Sequence, residues 1–240
     1  MTSQSSLLRA AADAALDAAA ARPWAELSLR AIAEAAGVSL ADLYDAARSK
    51  DDVLDAVLAE FDRAAADDLD LDADAPERER VFDVAMARFD AMERRRAGAV
   101  SILGHELDRP LGALRLWPAS TRTARWLLAL AGVDTSGARG QARVQGFAVI
   151  LARATRAWLR DDAGDLSKTM AALDRMLRDV DGWRARFSDA ADRVRESAQA
   201  RSASVGRPDG PKADSEPDPG REPEPGADPA SHSGPEVGDR

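Results

Sequence analysis

The sequence predicts an all-α protein in three parts: a three-helix head carrying a helix-turn-helix, a larger helical-bundle body, and a C-terminal tail with no core of its own. Three observations predict it. Ala, Leu, Arg and Asp dominate the 240 residues, there is a single Tyr, and strand-forming residues are scarce. Apolar residues recur at helical spacing from residue 4 to about residue 195. From Ala203 onward, eight prolines sit among glycines and acids with almost no large apolar side chain. The expected boundaries are 1–62 for the head, with the motif at 28–47, then 63–200 for the body and 201–240 for the tail.

Residues 4–21 place Leu8, Ala12, Ala15, Leu16 and Ala19 on one side of an Ala-rich helix that can approach its neighbours closely. Arg22-Pro23 ends it, because the residue before a proline is pushed out of the α region. Leu29, Ile32, Ala33 and Ala36 mark a second, short helix. Gly37 breaks its pattern and can take the left-handed conformation of a tight turn, with Val38 as the apolar plug. Ser39 is a good N-cap, and Leu40, Leu43 and Tyr44 are expected on the buried side of the third helix. Helix, glycine turn and helix over about twenty residues is the helix-turn-helix pattern. Ser49 can cap a fourth, long helix whose first turn carries Asp51 and Asp52, where the helix dipole favours acids. Leu54, Val57, Leu58 and Phe61 form its buried stripe.

The body begins after an acidic connection, residues 67–76. Glu77–Ala97 is expected as one helix, with Val81, Ala85, Met86, Phe89 and Met92 inside and Arg94-Arg95-Arg96 as its solvated end. An apolar segment from Val100 is broken by Pro110 and Gly112, and Leu114, Leu116, Trp117 and Pro118 read as an irregular patch. Ser120 is expected to cap a helix through Trp126, Leu127 and Leu128 that Gly132 closes. Asp134–Gly140 reads as a turn, followed by a helix to about Asp161 with Val144, Phe147, Leu151 and Trp158. The last helix spaces Leu173, Leu177, Val180 and Trp183 three and four apart, which predicts a homodimer seam formed by about 140–160 and 165–190. The tail cannot bury enough surface to offset its ordering entropy and is expected to be disordered.

The chain offers little catalytic chemistry. Without cysteine there is no disulfide or thiolate, and two histidines make no His-rich metal site. His105 and Glu106 are consecutive on a helix and face different ways, so they form no dyad. No serine sits in a glycine elbow, and GARGQARVQG lacks the strand a phosphate loop needs. Asp161, Asp162 and Asp165 are accounted for by an acidic turn between helices. An enzyme is not expected, nor a cofactor. No apolar run approaches the roughly 18 residues of a membrane span, and the N-terminus does not read as a signal peptide, so a cytoplasmic location is expected. A net charge of −9 favours solubility and opposes indiscriminate nucleic-acid binding.

The head motif resembles that of the TetR family of bacterial transcriptional regulators. The likeness rests on Trp24 before the motif, on Tyr44 in its second helix, and on Ser49-Lys50-Asp51-Asp52 with Leu54 opening the next helix. The family usually has His-Phe two and three residues after the Tyr; here Ala46 and Ala47 replace that aromatic plug. The resemblance implies a dimeric, ligand-responsive repressor of a double-stranded DNA operator. It places Ser39, Leu40, Ala41, Tyr44, Arg48 and Lys50 at DNA, and the second motif helix in the major groove. It also implies an apolar small-molecule or lipid effector held in the body, with Phe89, Met92, Trp126, Phe147 and Trp158 as the lining residues expected. Physics opposes the first of these: residues 1–60 hold five basic against ten acidic side chains, whereas phosphate neutralisation supplies much of DNA affinity. A second, shorter likeness joins Trp158-Leu159-Arg160-Asp161-Asp162, Asp165, Thr169, Met170, Leu173 and Asp174 to the lipid-binding accessory proteins of ubiquinone biosynthesis, which share the fold. It implies an alternative in which DNA binding has lapsed and a hydrophobic pocket is the working part.

Overall fold

A computed structural model describes residues 4–67, 69–162 and 164–179. The expected tail, residues 201–240, and the far part of the last helix with Val180, Trp183 and Phe187 lie outside the described residues. All regular structure among the described residues is helical: α1 Gln4–Ala21, a 3-10 turn Trp24–Glu26, α2 Leu29–Ala35, α3 Leu40–Ala46, α4 Lys50–Asp67, α5 Glu77–Glu93, α6 Arg96–Leu107, α7 Pro110–Leu130, α8 Gly137–Leu159, and a helical run at 167–179. No described helix is long and apolar enough to cross a membrane.

Local chemistry sets the head. Ser28, Ser39 and Ser49 each place a side-chain oxygen on an otherwise orphaned amide three residues on, at Ala31, Asp42 and Asp52, so each helix starts where its cap is. Asp52 answers in kind by accepting from the Arg48 and Ser49 amides, both at 2.9 Å, which closes a capping box. Gly37 has φ +68°, the left-handed turn expected between α2 and α3. Leu43 is fully buried, but Tyr44 is 55% exposed, so the tyrosine does not belong to the buried side of α3. Helix α3 is only seven residues long, and positions 43 and 44 stand about 100° apart around it, so one inward side chain turns the next outward.

Helix α1 joins the head to the body. It packs on α2 and α3, and also on α4 and α6. Ala11, Ala12 and Ala15 are fully buried on it, which permits close approach. At Gly98 of α6 the approach is closest: a Cβ there would lie 2.2 Å from the Leu16 carbonyl oxygen. Helix α4 crosses the expected boundary at residue 62 and packs on α5 and α7.

Two expectations for the body change. Helix α7 is continuous from Pro110 to Leu130, with no irregular patch and no new start at Ser120. Pro110 occupies the first turn, where its missing N–H costs no intrahelical bond. Pro118 sacrifices one bond inside the helix, while the buried stripe Leu116, Ala119, Thr123 and Leu127 continues past it. The arginine run is likewise not a solvated helix end. The chain breaks between α5 and α6 at Arg94-Arg95, and Arg95 reaches back to Asp17 at 2.8 Å and Asp13 at 3.4 Å on α1. Arg96 pairs with Glu93 at 2.8 Å, donates to the Asp161 carbonyl and lies over the Trp158 ring at 5.0 Å.

Asp161 is buried and accepts from the Thr169 amide and hydroxyl at 2.8 and 2.9 Å, tying the acidic turn to the helical run that follows. Leu173 and Leu177 on that run are buried within this one chain. Their spacing, read above as a seam to a second copy, serves packing against the chain's own helices in the described part. Val149 and Met170 are the larger apolar side chains left outward on α8 and on this run.

Candidate functional site

The outer face of the head is built on α3 and the turn after it. Ser39, Ala41, Tyr44 and Arg48 are exposed and Leu40 is half-buried. Five of the six residues expected at DNA therefore lie at or near one surface. Ala47 is fully buried where the family's aromatic plug is absent. Asp42 is engaged as a cap partner: the Ser39 hydroxyl donates to its carboxylate at 2.6 Å.

Lys50, the sixth, is folded inward. Its ammonium donates to the Trp24 carbonyl and lies 4.1 Å from the centre of the Trp24 ring. Burial pushes the Lys50 amine below its ordinary value, against the opposing pull of Glu106 and Asp51. Trp24 is itself clamped: its ring N–H donates to Glu106 Oε1 at 3.2 Å and its backbone N–H to Ser101 Oγ at 3.1 Å. Glu106 is buried and its other oxygen lies 3.5 Å from Arg115, which grips both oxygens of Asp51 at 2.8 Å. The start of α4 is thus held to α6 and α7 by one chain of charged contacts. Sequence reasoning missed Glu106 and Arg115, because Glu106 meets Trp24 across 82 positions and no local pattern announces that.

The acidic surplus of the head is partly paired at the surface. Asp13 and Asp17 pair with Arg95, Asp51 with Arg115, and Asp55 with Arg122 at 2.5 Å, so three body arginines absorb four head carboxylates. Two of the three come from α7, and α7 and α8 together carry seven arginines and no acid.

Deeper in the body, Arg88 donates to Asp62 at 2.7 Å, and Thr123 donates to the second Asp62 oxygen at 2.7 Å. Arg88 falls on the core side of α5, three residues after Ala85 and four before Met92, a placement that could have flagged it in the sequence. Beside it lies a small cavity of about 40 Å³ among Leu58, Leu103, Leu116 and Leu151, little more than the space of one water.

The residues expected to line an effector pocket separate. Phe89, Met92 and Trp158 are fully buried and pack in the core, and the Trp158 ring N–H is committed to Glu93 at 2.8 Å. Trp126 is 45% exposed, donates to the Asp62 carbonyl at 3.1 Å and borders a 370 Å³ cleft between α4 and α7. Phe147 lines the larger cavity of about 670 Å³, at the end of the body where α5 starts, α7 stops and α8 starts. Its wall is apolar, with Val81, Leu128, Val133, Ile150 and Leu177 beside Phe147.

Residues 12–57 match the family model described as bacterial regulatory proteins, tetR family. Among solved structures, the chain is similar to a TetR transcriptional regulator from Nitrosomonas europaea ATCC 19718, with a TM-score of 0.56 and 22% identity over 71% of this chain and 95% of that one. It is similar also to a TetR transcriptional regulator from Rhodococcus sp. RHA1, with a TM-score of 0.55 and 16% identity over 71% and 94%. No curated protein matches the chain. The helix-turn-helix head thus matches the TetR family of bacterial regulatory proteins, and the fold is TetR-like.

Proposed function

We propose that this chain is a DNA-binding transcriptional regulator acting as a homodimeric, ligand-responsive repressor. The observation that carries the reading is the exposed α3 face, with Ser39, Ala41, Tyr44 and Arg48 outward on a head whose sequence matches the family. In this reading α3 enters the major groove, its first residues meet base edges, and Tyr44, Arg48 and Lys50 contact phosphate. Lys50 must leave Trp24 to do so, which makes its hold on the 3-10 turn part of the repressor's switching. The paired head carboxylates lower the repulsion that the bare residue count implies. Few cations remain, so the salt dependence of operator binding is shallow, at about −0.9 in log K per phosphate contact. The dimer forms along α8 and the helix that follows it, and an apolar effector bound in the body shifts the head through α4.

A mobility shift with DNA from the chain's own upstream region, over a salt series, tests this. Tyr44→Phe is expected to weaken binding about tenfold, the loss of one phosphate hydrogen bond of about 1.4 kcal/mol. Arg48→Ala is expected to reduce the salt slope by about 0.9. Absence of a shift with any genomic fragment at low salt, with lipid copurifying, would replace the repressor by the lipid-binding alternative. The segment behind that alternative has a structural use: Trp158, Asp161 and Thr169 join α8 to the next helix.

A further inference from the structure

We infer that the 670 Å³ cavity at the far end of the body binds an apolar chain ending in an anionic head group. The volume lies within the roughly 300–1,000 Å³ of small-molecule sites, whereas the small cavity near Arg88 has room for about one water. The wall described above is apolar, and its edge carries Arg78, Arg139 and Arg143 against one acid, Glu77. Arg78 is partly neutralised by Asp174 at 3.2 Å. That leaves Arg139 and Arg143, four residues apart on α8 and so on one face, at the edge of the cavity. Arg143 donates to the Asp134 carbonyl at 3.2 Å, and the Asp134 carboxylate lies within reach of its charge, which leaves Arg139 as the cation with the most unspent charge. Arg139 makes no ion pair with any described residue. In a chain of net charge −9, a helix with four arginines and no acid beside an apolar cavity selects an amphiphile whose head is a carboxylate or a phosphate. Gly146 lies in the wall, and a Cβ there would meet nothing within 4 Å, so the space above it is available to an acyl chain.

The inference assigns a ligand class to the effector of the regulator reading, and its test reads binding without DNA, so each can fail alone. Dodecanoate, dodecyl phosphate and uncharged dodecanol are titrated into the full-length protein by calorimetry below their micelle concentrations. One or both anions should bind at one per chain, at least tenfold more tightly than dodecanol. Arg139→Glu should weaken the anion at least tenfold and leave dodecanol unchanged; it breaks no described contact, so folding is not at stake. Gly146→Leu should weaken every probe by filling the space. Which anion binds more tightly tells a carboxylate from a phosphate head, and either supports the site. Equal affinity for anion and alcohol, no response to Arg139→Glu, or no binding of any of the three probes would overturn it.

Discussion

The seam between head and body and the far end of the body are built on opposite principles. Where α1 meets α6 at the seam no space is left: a Cβ at Gly98 would lie 2.2 Å from the Leu16 carbonyl oxygen. The polar side chains there are paired in chains, from Lys50 through Trp24 to Glu106, and from Asp62 to Arg88 and Thr123. At the far end, past the tight start of α8 where a Cβ at Gly140 would lie 2.0 Å from the Thr135 carbonyl carbon, the packing opens into a cavity of about 670 Å³, an added Cβ at Gly146 meets nothing, and Arg139 is unpaired among the described residues. A dense contact such as that of α1 on α6 transmits a displacement because it cannot absorb one. An open end with uncompensated charge can take up a ligand without repacking a core.

Four substitutions probe this contrast, from the largest effect expected to the smallest. Asp62→Ala strands the Arg88 charge, whose side chain is 6% exposed, so urea unfolding should show a loss of about 3–5 kcal/mol. Gly98→Ala forces a methyl against backbone and should cost about 1–3 kcal/mol; an unchanged melting midpoint would mean that α1 and α6 slide freely. Gly146→Ala is the counterpart at the open end, also in a helix interior. It should stabilise by up to about 1 kcal/mol through helix propensity alone, and a loss of stability would show that the end is tighter than described. Arg122→Ala removes an exposed pair with Asp55 and should move the unfolding free energy by about 0.2–1 kcal/mol, less at high salt.

Charged residues are where sequence and structure part most. Asp51 and Asp55 count against DNA binding when tallied along the chain, yet both are held by α7 arginines 64 and 67 positions away. Lys50 reads as a phosphate contact from its motif, yet it is held by a carbonyl 26 positions earlier. The aromatic residues divide in the same way. Phe89, Trp126, Phe147 and Trp158 share the apolar periodicity of their helices, and only the packing separates a core ring from a cavity wall.

The sequence by itself determined where the head helices begin and turn. A serine cap acts on an amide three residues away and a glycine acts on its own φ, so Ser39, Ser49 and Gly37 needed no distant partner to be read. It determined too that the fold is helical, because apolar spacing reports one buried side. Only the tertiary structure decided what Arg95, Arg96, Glu106 and Lys50 are for, that α7 runs unbroken past Pro118, and where open space remains. Long charged side chains take their roles from whichever partner folding brings within reach, and a cavity belongs to no single helix.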